Sequence, residues 1–364
     1  MKQVAVVGAG ILGLAQAYAY ARRGNRVRVY ERSPKAAGAS VRNFGMLWPI
    51  GQPSGLLCDL AMRSREIWLE VLKEAKLPYL PTGSLHLAYR GDEEAVCREF
   101  AELEPQRGRW ICAAEVLEKS SSVVPEKLRG ALFSENEIVV DPRLVLATLP
   151  AMLEEKYGVE FHFSTAVTNV AALDADLVFV CSGDDFETLY PEIFSSSGVT
   201  RCKLQMMRTA PQPSGWSMGP SLAAGLTLRF YKSFQVCSTL PALAGRIAAE
   251  MPDYEKWGIH VMASETADGA VTIGDSHEYG LAVDIFDKDE IDRLILDYLR
   301  GFARFPNMQI AERWHGVYAR HFDRPFFYEQ PEPGVFIVTA SAGKGMTVSF
   351  GLAELLYENP SRHF

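Results

Sequence analysis

The first apolar pattern runs through residues 4–31, VAVVGAGILGLAQAYAYARRGNRVRVYE. Val4, Val6 and Val7 form a short apolar run without polar alternation, the signature of a strand covered on both faces of a parallel sheet. Glycines interrupt it, and an alanine-rich helical stretch then runs to Arg22-Arg23-Gly24, basic residues and a glycine at a helix C-terminus. Val27, Val29 and Tyr30 make a second strand that ends on Glu31. Helical spacing returns over 56–76 (Leu57, Leu60, Ala61, Ile67, Trp68, Val71, Leu72), alternation over 82–90, and amphipathic helix over 92–104. A Pro- and Gly-punctuated region extends to about residue 139. Asp141-Pro142-Arg143 opens a helix over 142–156, with Asp as N-cap and Pro in the first turn. Strands are predicted at 159–163, 167–170 and 176–181.

From 201 to 280 the texture becomes strand-like: RCKLQMMRT, AAGLTLRFY, WGIHVMASET and AVTIGDSHEYG, with Asp268-Gly269 as a hairpin turn between the last two. A helix follows over 287–305, and 312–328 carries Trp314, His315, Gly316, Tyr318 and Arg320 back toward the first domain. The chain then reads as a buried strand (334–340), a small-residue loop (341–347) and a helix (348–357). The fold class predicted is α/β: a Rossmann-type dinucleotide domain with a parallel sheet, plus an α+β domain with a mainly antiparallel sheet. The first would comprise 1–78, 140–200 and 307–364, and the second 79–139 and 201–306.

Gly8, Gly10 and Gly13 stand at G-x-G-x-x-G spacing between a strand and a helix. Gly8 allows the sharp turn, Gly10 the close approach of backbone to a pyrophosphate, and Gly13 the packing of helix on sheet. Ile11 and Leu12 lie at the helix N-terminus among them, where free N–H groups attract anions. Glu31, eighteen residues past Gly13, is placed to accept both ribose hydroxyls of an adenosine. A secretory signal is the rival for this segment, disfavoured by fingerprint glycines and a strand ending in an acid. The segment 36–47, AAGASVRNFGML, suits a loop threaded along a cofactor, with an ordinary surface loop as the alternative. Ser182-Gly183, at the carboxyl end of a buried strand, is a further expected cofactor contact.

A chain of 364 residues, 48% hydrophobic, is large enough for two domains. Its net charge of −8 argues against nucleic acid or anionic membrane as partner. No apolar run is long enough to span a bilayer. The six cysteines (58, 97, 112, 181, 202, 237) have neither disulfide nor zinc spacing, so no metal is expected and the chain reads as cytoplasmic.

The fingerprint with Glu31-Arg32, the GAS-x-x-N-x-G segment, the 176–183 strand and the late G-x-G-Met-Thr loop occur in the order seen in FAD-dependent amine oxidoreductases. The whole chain resembles this superfamily of D-amino acid oxidase, glycine oxidase and sarcosine oxidase. The resemblance implies non-covalent FAD, since the flavin-tethering cysteine of sarcosine oxidases has no counterpart after Cys237. Gly8, Gly10 and Gly13 would hold the pyrophosphate and Glu31, beside Arg32, the ribose. Ser40, Val41, Arg42, Asn43, Gly45 and Met46 would run past the diphosphate to the flavin edge. Val167 would contact adenine, and Gly343, Lys344, Gly345, Met346 and Thr347 the pyrimidine side of the ring. Thr272 takes the position of the oxygen-activating lysine, which puts oxygen as acceptor in question unless Lys344 replaces it. KLQMMRT, GLTLRFY and TIGDSHEYG are similar to a branch proposed to act on aminophosphonates related to 2-aminoethylphosphonate.

Oxidation of a small primary or secondary amine by flavin needs an anion clamp, an apolar wall and exclusion of water. Lys344, His260 and Tyr231 are the catalytic candidates; Met46, Trp48, Lys203, Arg229, His277 and Arg320 are the substrate-binding ones. Any single basic residue among them has an ordinary structural charge as its rival reading, and either aromatic has core packing. Glycine, sarcosine or a D-amino acid is the alternative substrate, with oxygen or another electron acceptor. Rival functions are a nicotinamide-linked dehydrogenase and a flavin-binding subunit without its own catalysis.

Overall fold

The computed structural model of the chain describes residues 1–339 and 341–360. Its organising layer is a six-stranded sheet in the order Phe327–Glu332, Val335–Thr339, Leu177–Val180, Gln3–Val7, Arg26–Tyr30 and Glu160–His162. All neighbours are parallel except the antiparallel first pair. Helices Ile11–Ala21, Leu56–Glu74, Pro142–Tyr157 and Gly345–Glu358 cover one face and share one apolar core with it. At Gly13 a Cβ would lie 1.9 Å from the Gly8 carbonyl oxygen. The first helix therefore sits closer to the turn than any side chain allows, as the glycine spacing predicts. Asp141 caps Pro142–Tyr157, accepting from the N–H groups of Arg143 and Leu144.

The second sheet has nine strands. Eight run in the order Glu278–Gly280, Thr200–Thr209, Val271–Gly274, Met262–Glu265, Ser221–Ala223, Ser84–Ala88, Gly130–Ser134 and Arg109–Cys112. The ninth, Ile310–Arg320, pairs antiparallel with Thr200–Thr209 along its length. Only the Ser221–Ala223/Ser84–Ala88 pair is parallel. A three-stranded sheet of Met46–Leu47, Ile138–Val140 and Tyr79–Leu80 joins the two parts. Among the described residues no helix is long and apolar enough to cross a membrane.

Several expectations change. Residues 310–320 belong to the second sheet, so the boundary drawn at 307 falls inside the wrong layer; ten residues of the strand pair with Thr200–Thr209. The stretch GLTLRFY is not a strand: Gly225–Phe230 is a short helix, with Leu226 and Leu228 in the core and the Leu226 N–H bonded to the Tyr298 hydroxyl. Its alternation is overridden by packing. Residues 167–170 form no strand; a 3-10 turn at Val170–Ala172 is capped by Asn169 instead. Helices Leu240–Glu250 and Pro252–Lys256 interrupt the region read as all strand. The predicted strand 334–340 is observed as Val335–Thr339, and residue 340 lies outside the described residues.

Candidate active site

A cavity of about 740 Å³ runs from the carboxyl ends of the six-stranded sheet to the facing second sheet. Its first end is built by the turn after Gln3–Val7. Gly8, Gly10, Ile11 and Leu12 line it, opposite Glu31, Arg32 and Ser40. The Glu31 carboxylate accepts the Ala9 N–H (3.0 Å) and the Ser33 N–H (2.9 Å), closing the loop around itself. Ser40 Oγ accepts from the Ile11 N–H at 2.9 Å. Arg32 pairs with Asp185 at 2.7 Å. Val167, Ser182 and Gly183 complete this end, and Thr339 Oγ1 donates to the Gly183 carbonyl.

The middle is formed by Arg42, Asn43 and Met46 on one side and 341–347 on the other. Asn43 staples its own loop: its amide donates to the carbonyls of Ala39 and Ser40 and its oxygen accepts the Gly45 N–H. The helix Gly345–Glu358 begins here, with Lys344 as an N-cap that makes no side-chain capping bond. The Trp48 N–H donates to Thr347 Oγ1 at 3.0 Å. Burial first, then the charges of Arg320 and Lys232, brings the Lys344 ammonium down to about 7.

The far end is an aromatic chamber of Trp48, Phe230, Tyr231, His260, Met262, Asp275, His277 and Tyr318. Phe230 stacks on His260 with centroids 3.9 Å apart. Burial drives the Tyr231 and Tyr318 phenols upward. The sequence offers His260 and His277 as cations; burial lowers both, His277 to about 4, so they are neutral imidazoles at pH 7.

Most sequence-derived site residues meet in this cavity, but six do not. Gly13 packs against the Gly8 carbonyl and Val41 against the core beneath, neither on the wall. Gly45 (φ +73°) serves the backbone instead, since a Cβ there would lie 1.9 Å from the Val140 carbonyl oxygen. Lys203 is fully buried, its ammonium 3.0 Å from Asp287 and donating to the Phe286 carbonyl. Arg229 pairs with Glu255 at 3.1 Å, and Arg320 donates to the Tyr279 hydroxyl at 2.9 Å. These three cations are therefore absent from the wall, although Arg320 still acts on Lys344 through its charge. Thr272 sits in the second sheet, away from the wall as well. The sequence reading missed Phe230, Met262 and Asp275.

The wall fits an FAD. Two helix N-termini, at Ile11 and Gly345, open onto the cavity; neither N-cap residue makes a side-chain capping bond, and apart from the Ile11 N–H, which Ser40 Oγ accepts, their first N–H groups can face anionic oxygens. Among the described residues Trp48 Nε1 and Gln52 Oε1 are buried in the wall with no protein partner, an arrangement a polar ligand would satisfy. Gly8, Gly10, Ile11, Leu12 and Glu31 would hold the diphosphate and ribose, and Met46 and residues 343–347 the ring.

Comparison with known proteins agrees. The chain is 39% identical over 70 residues to the D-amino-acid oxidase of Streptomyces coelicolor, which is 19% of this chain and 22% of that protein. It is 28% identical over 143 residues to the glycine oxidase of Geobacillus kaustophilus, 36% of this chain and 37% of that one. These matches thus span about a fifth and a third of the curated relatives. The crystal structure of glycine oxidase from G. kaustophilus superposes with a TM-score of 0.76 at 19% identity, covering 99% of this chain and 94% of that one. A family model described as FAD dependent oxidoreductase matches residues 3–359. With a fold, a dinucleotide cradle and a match that spans nearly its whole length, the chain belongs to the FAD dependent oxidoreductase family.

Proposed function

We propose that the protein oxidises a small primary or secondary amine bearing an acidic group, with non-covalently bound FAD as hydride acceptor. The observation that carries this reading is the continuity of one cavity from the glycine turn to an enclosed aromatic chamber, with Lys344 between. The chemistry supplied by bound FAD is acceptance of a hydride from the carbon bearing a neutral amine. The chain must orient that carbon, hold the acidic group and keep water from the imine. Trp48, Phe230 and Tyr231 give the apolar wall, with Tyr231 also offering a hydroxyl that lies 3.8 Å from Met262 Sδ. Lys344 is the clamp for the acidic group, its field reinforced by Arg320 and Lys232.

The narrower reading is an aminophosphonate related to 2-aminoethylphosphonate. It is supported by the same concentration of positive charge around Lys344, since a dianion is better matched than a carboxylate by more than one cation. The test is anaerobic bleaching of the flavin by glycine, sarcosine, D-alanine, 2-aminoethylphosphonate and its N-methyl and 1-hydroxy derivatives. Bleaching by a phosphonate and not by the amino acids is the expected outcome. Amino-acid bleaching alone would leave the broad reading and end the narrow one. No bleaching by any amine would point to a flavin-binding subunit.

A second prediction concerns the clamp. With its ammonium held down to about 7, Lys344 is charged below that pH and loses its proton as pH rises through it. Binding of acetate and of methylphosphonate, followed by perturbation of the flavin spectrum, should weaken as pH rises through about 7. In Lys344→Met the binding should be weak and free of this step. A step of the same size in the variant would remove Lys344 from the clamp.

A further inference from the structure

An amine reaches an enzyme at neutral pH as ammonium, whose nitrogen has no free electron pair to assist loss of hydride from the neighbouring carbon. Resting on the reading above, we propose that Asp275 takes the proton from the substrate nitrogen, with His260 and His277 set against its two oxygens. The Asp275 carboxylate lines the chamber and is 5% exposed. Oδ1 lies 3.2 Å from His260 Nε2 and Oδ2 lies 3.9 Å from His277 Nε2. Each oxygen thus faces one imidazole, and among the described residues no lysine or arginine forms an ion pair with it. His277 Nδ1 is 2.9 Å from the Gly258 carbonyl, which can only accept; Nδ1 therefore carries the hydrogen, and the neutral ring turns a bare Nε2 toward Asp275. His260 is held flat by Phe230, and its Nδ1 is buried without a partner among the described residues.

The electrostatics suit this role. Burial raises the Asp275 carboxyl well above the ordinary carboxylate range, which brings its proton affinity toward that of an amine. The same burial keeps the two imidazoles neutral, so they do not repel an incoming ammonium. In the step an N–H bond breaks, an O–H bond forms on Asp275, and the electron pair stays on nitrogen. An ammonium–carboxylate pair becomes an amine and a carboxylic acid, so the chamber's net charge is unchanged. Other groups face the cluster: the phenols of Tyr231, Tyr279 and Tyr318 and the Cys202 thiol feel Asp275. Arg229 and His86 act on His260, and Arg229 and Arg320 on His277.

The experiment uses FAD-loaded wild type and Asp275→Asn, mixed anaerobically with each amine of the panel above across pH 6–10. At pH 7 the variant should reduce its flavin roughly 10²–10³-fold more slowly per unit amine concentration, the scale of a lost general base. The deficit should shrink about tenfold per pH unit toward the amine's own pKa, because neutral amine then comes from solution. An equal deficit at every pH would mean a structural role and overturn the proposal, as would an unchanged rate at pH 7. Imidazole ¹⁵N NMR of the same proteins gives a second readout. The His260 and His277 nitrogens should shift in Asp275→Asn while His315 and His321 stay; no shift at the first two would also overturn it. The three donor atoms lie within 4.8 Å of one another, so stoichiometric divalent metal in the purified wild type, lost in Asp275→Asn, would overturn it in favour of a metal site. A wild type that no amine bleaches defeats the amine reading itself, whereas a bleached wild type with an equally fast variant defeats only the role of Asp275.

Discussion

Gly45→Ala is expected to destabilise the FAD-free chain by about 3–5 kcal/mol, lowering its melting temperature by roughly 4–7 °C. Gly45 holds φ at +73°, where a Cβ is strained in any case. The added carbon would also stand 1.9 Å from the Val140 carbonyl oxygen and 3.0 Å from Pro142 Cδ. Both obstacles are rigid. Val140 is tied to the same place by its N–H bond to the Gly45 carbonyl (3.0 Å), and Pro142 opens a capped helix. The lesion therefore lies at the seam where the small three-stranded sheet joins the cofactor layer, and it should be visible without cofactor. The family resemblance assigns Gly45 to FAD. On that assignment the substitution would weaken FAD binding and leave the apoprotein's thermal unfolding unchanged, so calorimetry of the FAD-free protein separates the two.

The opening turn was legible because each of its residues answers a backbone demand that acts locally. Three glycines, a strand on either side and an acid at the second strand's tip have one common geometry, and the structure has it. Helix Pro142–Tyr157 was legible for the same reason, through its N-cap and proline. The stretch 225–230 was not, because its alternation of leucines is compatible with a strand until Leu226 and Leu228 find a core made by residues far away in sequence. The cations failed similarly. Charge marks a residue as a candidate clamp, but Asp287, Glu255 and Tyr279, which occupy Lys203, Arg229 and Arg320, approach through the fold. Asp275 carried a partial signal. Asp268-Gly269 sets a hairpin in which Met262 pairs with Gly274, so the next residues outward bring position 275 beside 260 and 261. Continued one step, that register would have set Asp275 opposite Val261; the structure shifts by one residue there, and His260 and Asp275 exchange both backbone hydrogen bonds, which the hairpin pattern alone does not show.

Glu31→Arg should lower FAD affinity by roughly 10²–10⁴-fold, the equivalent of two charge-assisted hydrogen bonds at about 1.5–3 kcal/mol each. Its two carboxylate oxygens are each engaged, Oε2 by the Ala9 N–H and Oε1 by the Ser33 N–H. Ala9 lies inside the glycine turn and Ser33 begins the loop toward 36–47, so one side chain holds both walls of the ribose end at their spacing. Arginine offers neither N–H an acceptor, and it places a cation beside Arg32, whose own partner Asp185 is fully committed at 2.7 Å. Glu31→Gln separates the contributions: it keeps one acceptor oxygen and adds no charge, so its loss should be the smaller of the two. FAD titration by quenching of flavin fluorescence measures both variants. If arginine and glutamine lose affinity equally, the charge is irrelevant and only the hydrogen-bonded loop matters. If both bind FAD as the parent does, Glu31 has no part in holding the adenosine, and the cradle rests on the helix N-terminus at Ile11 alone.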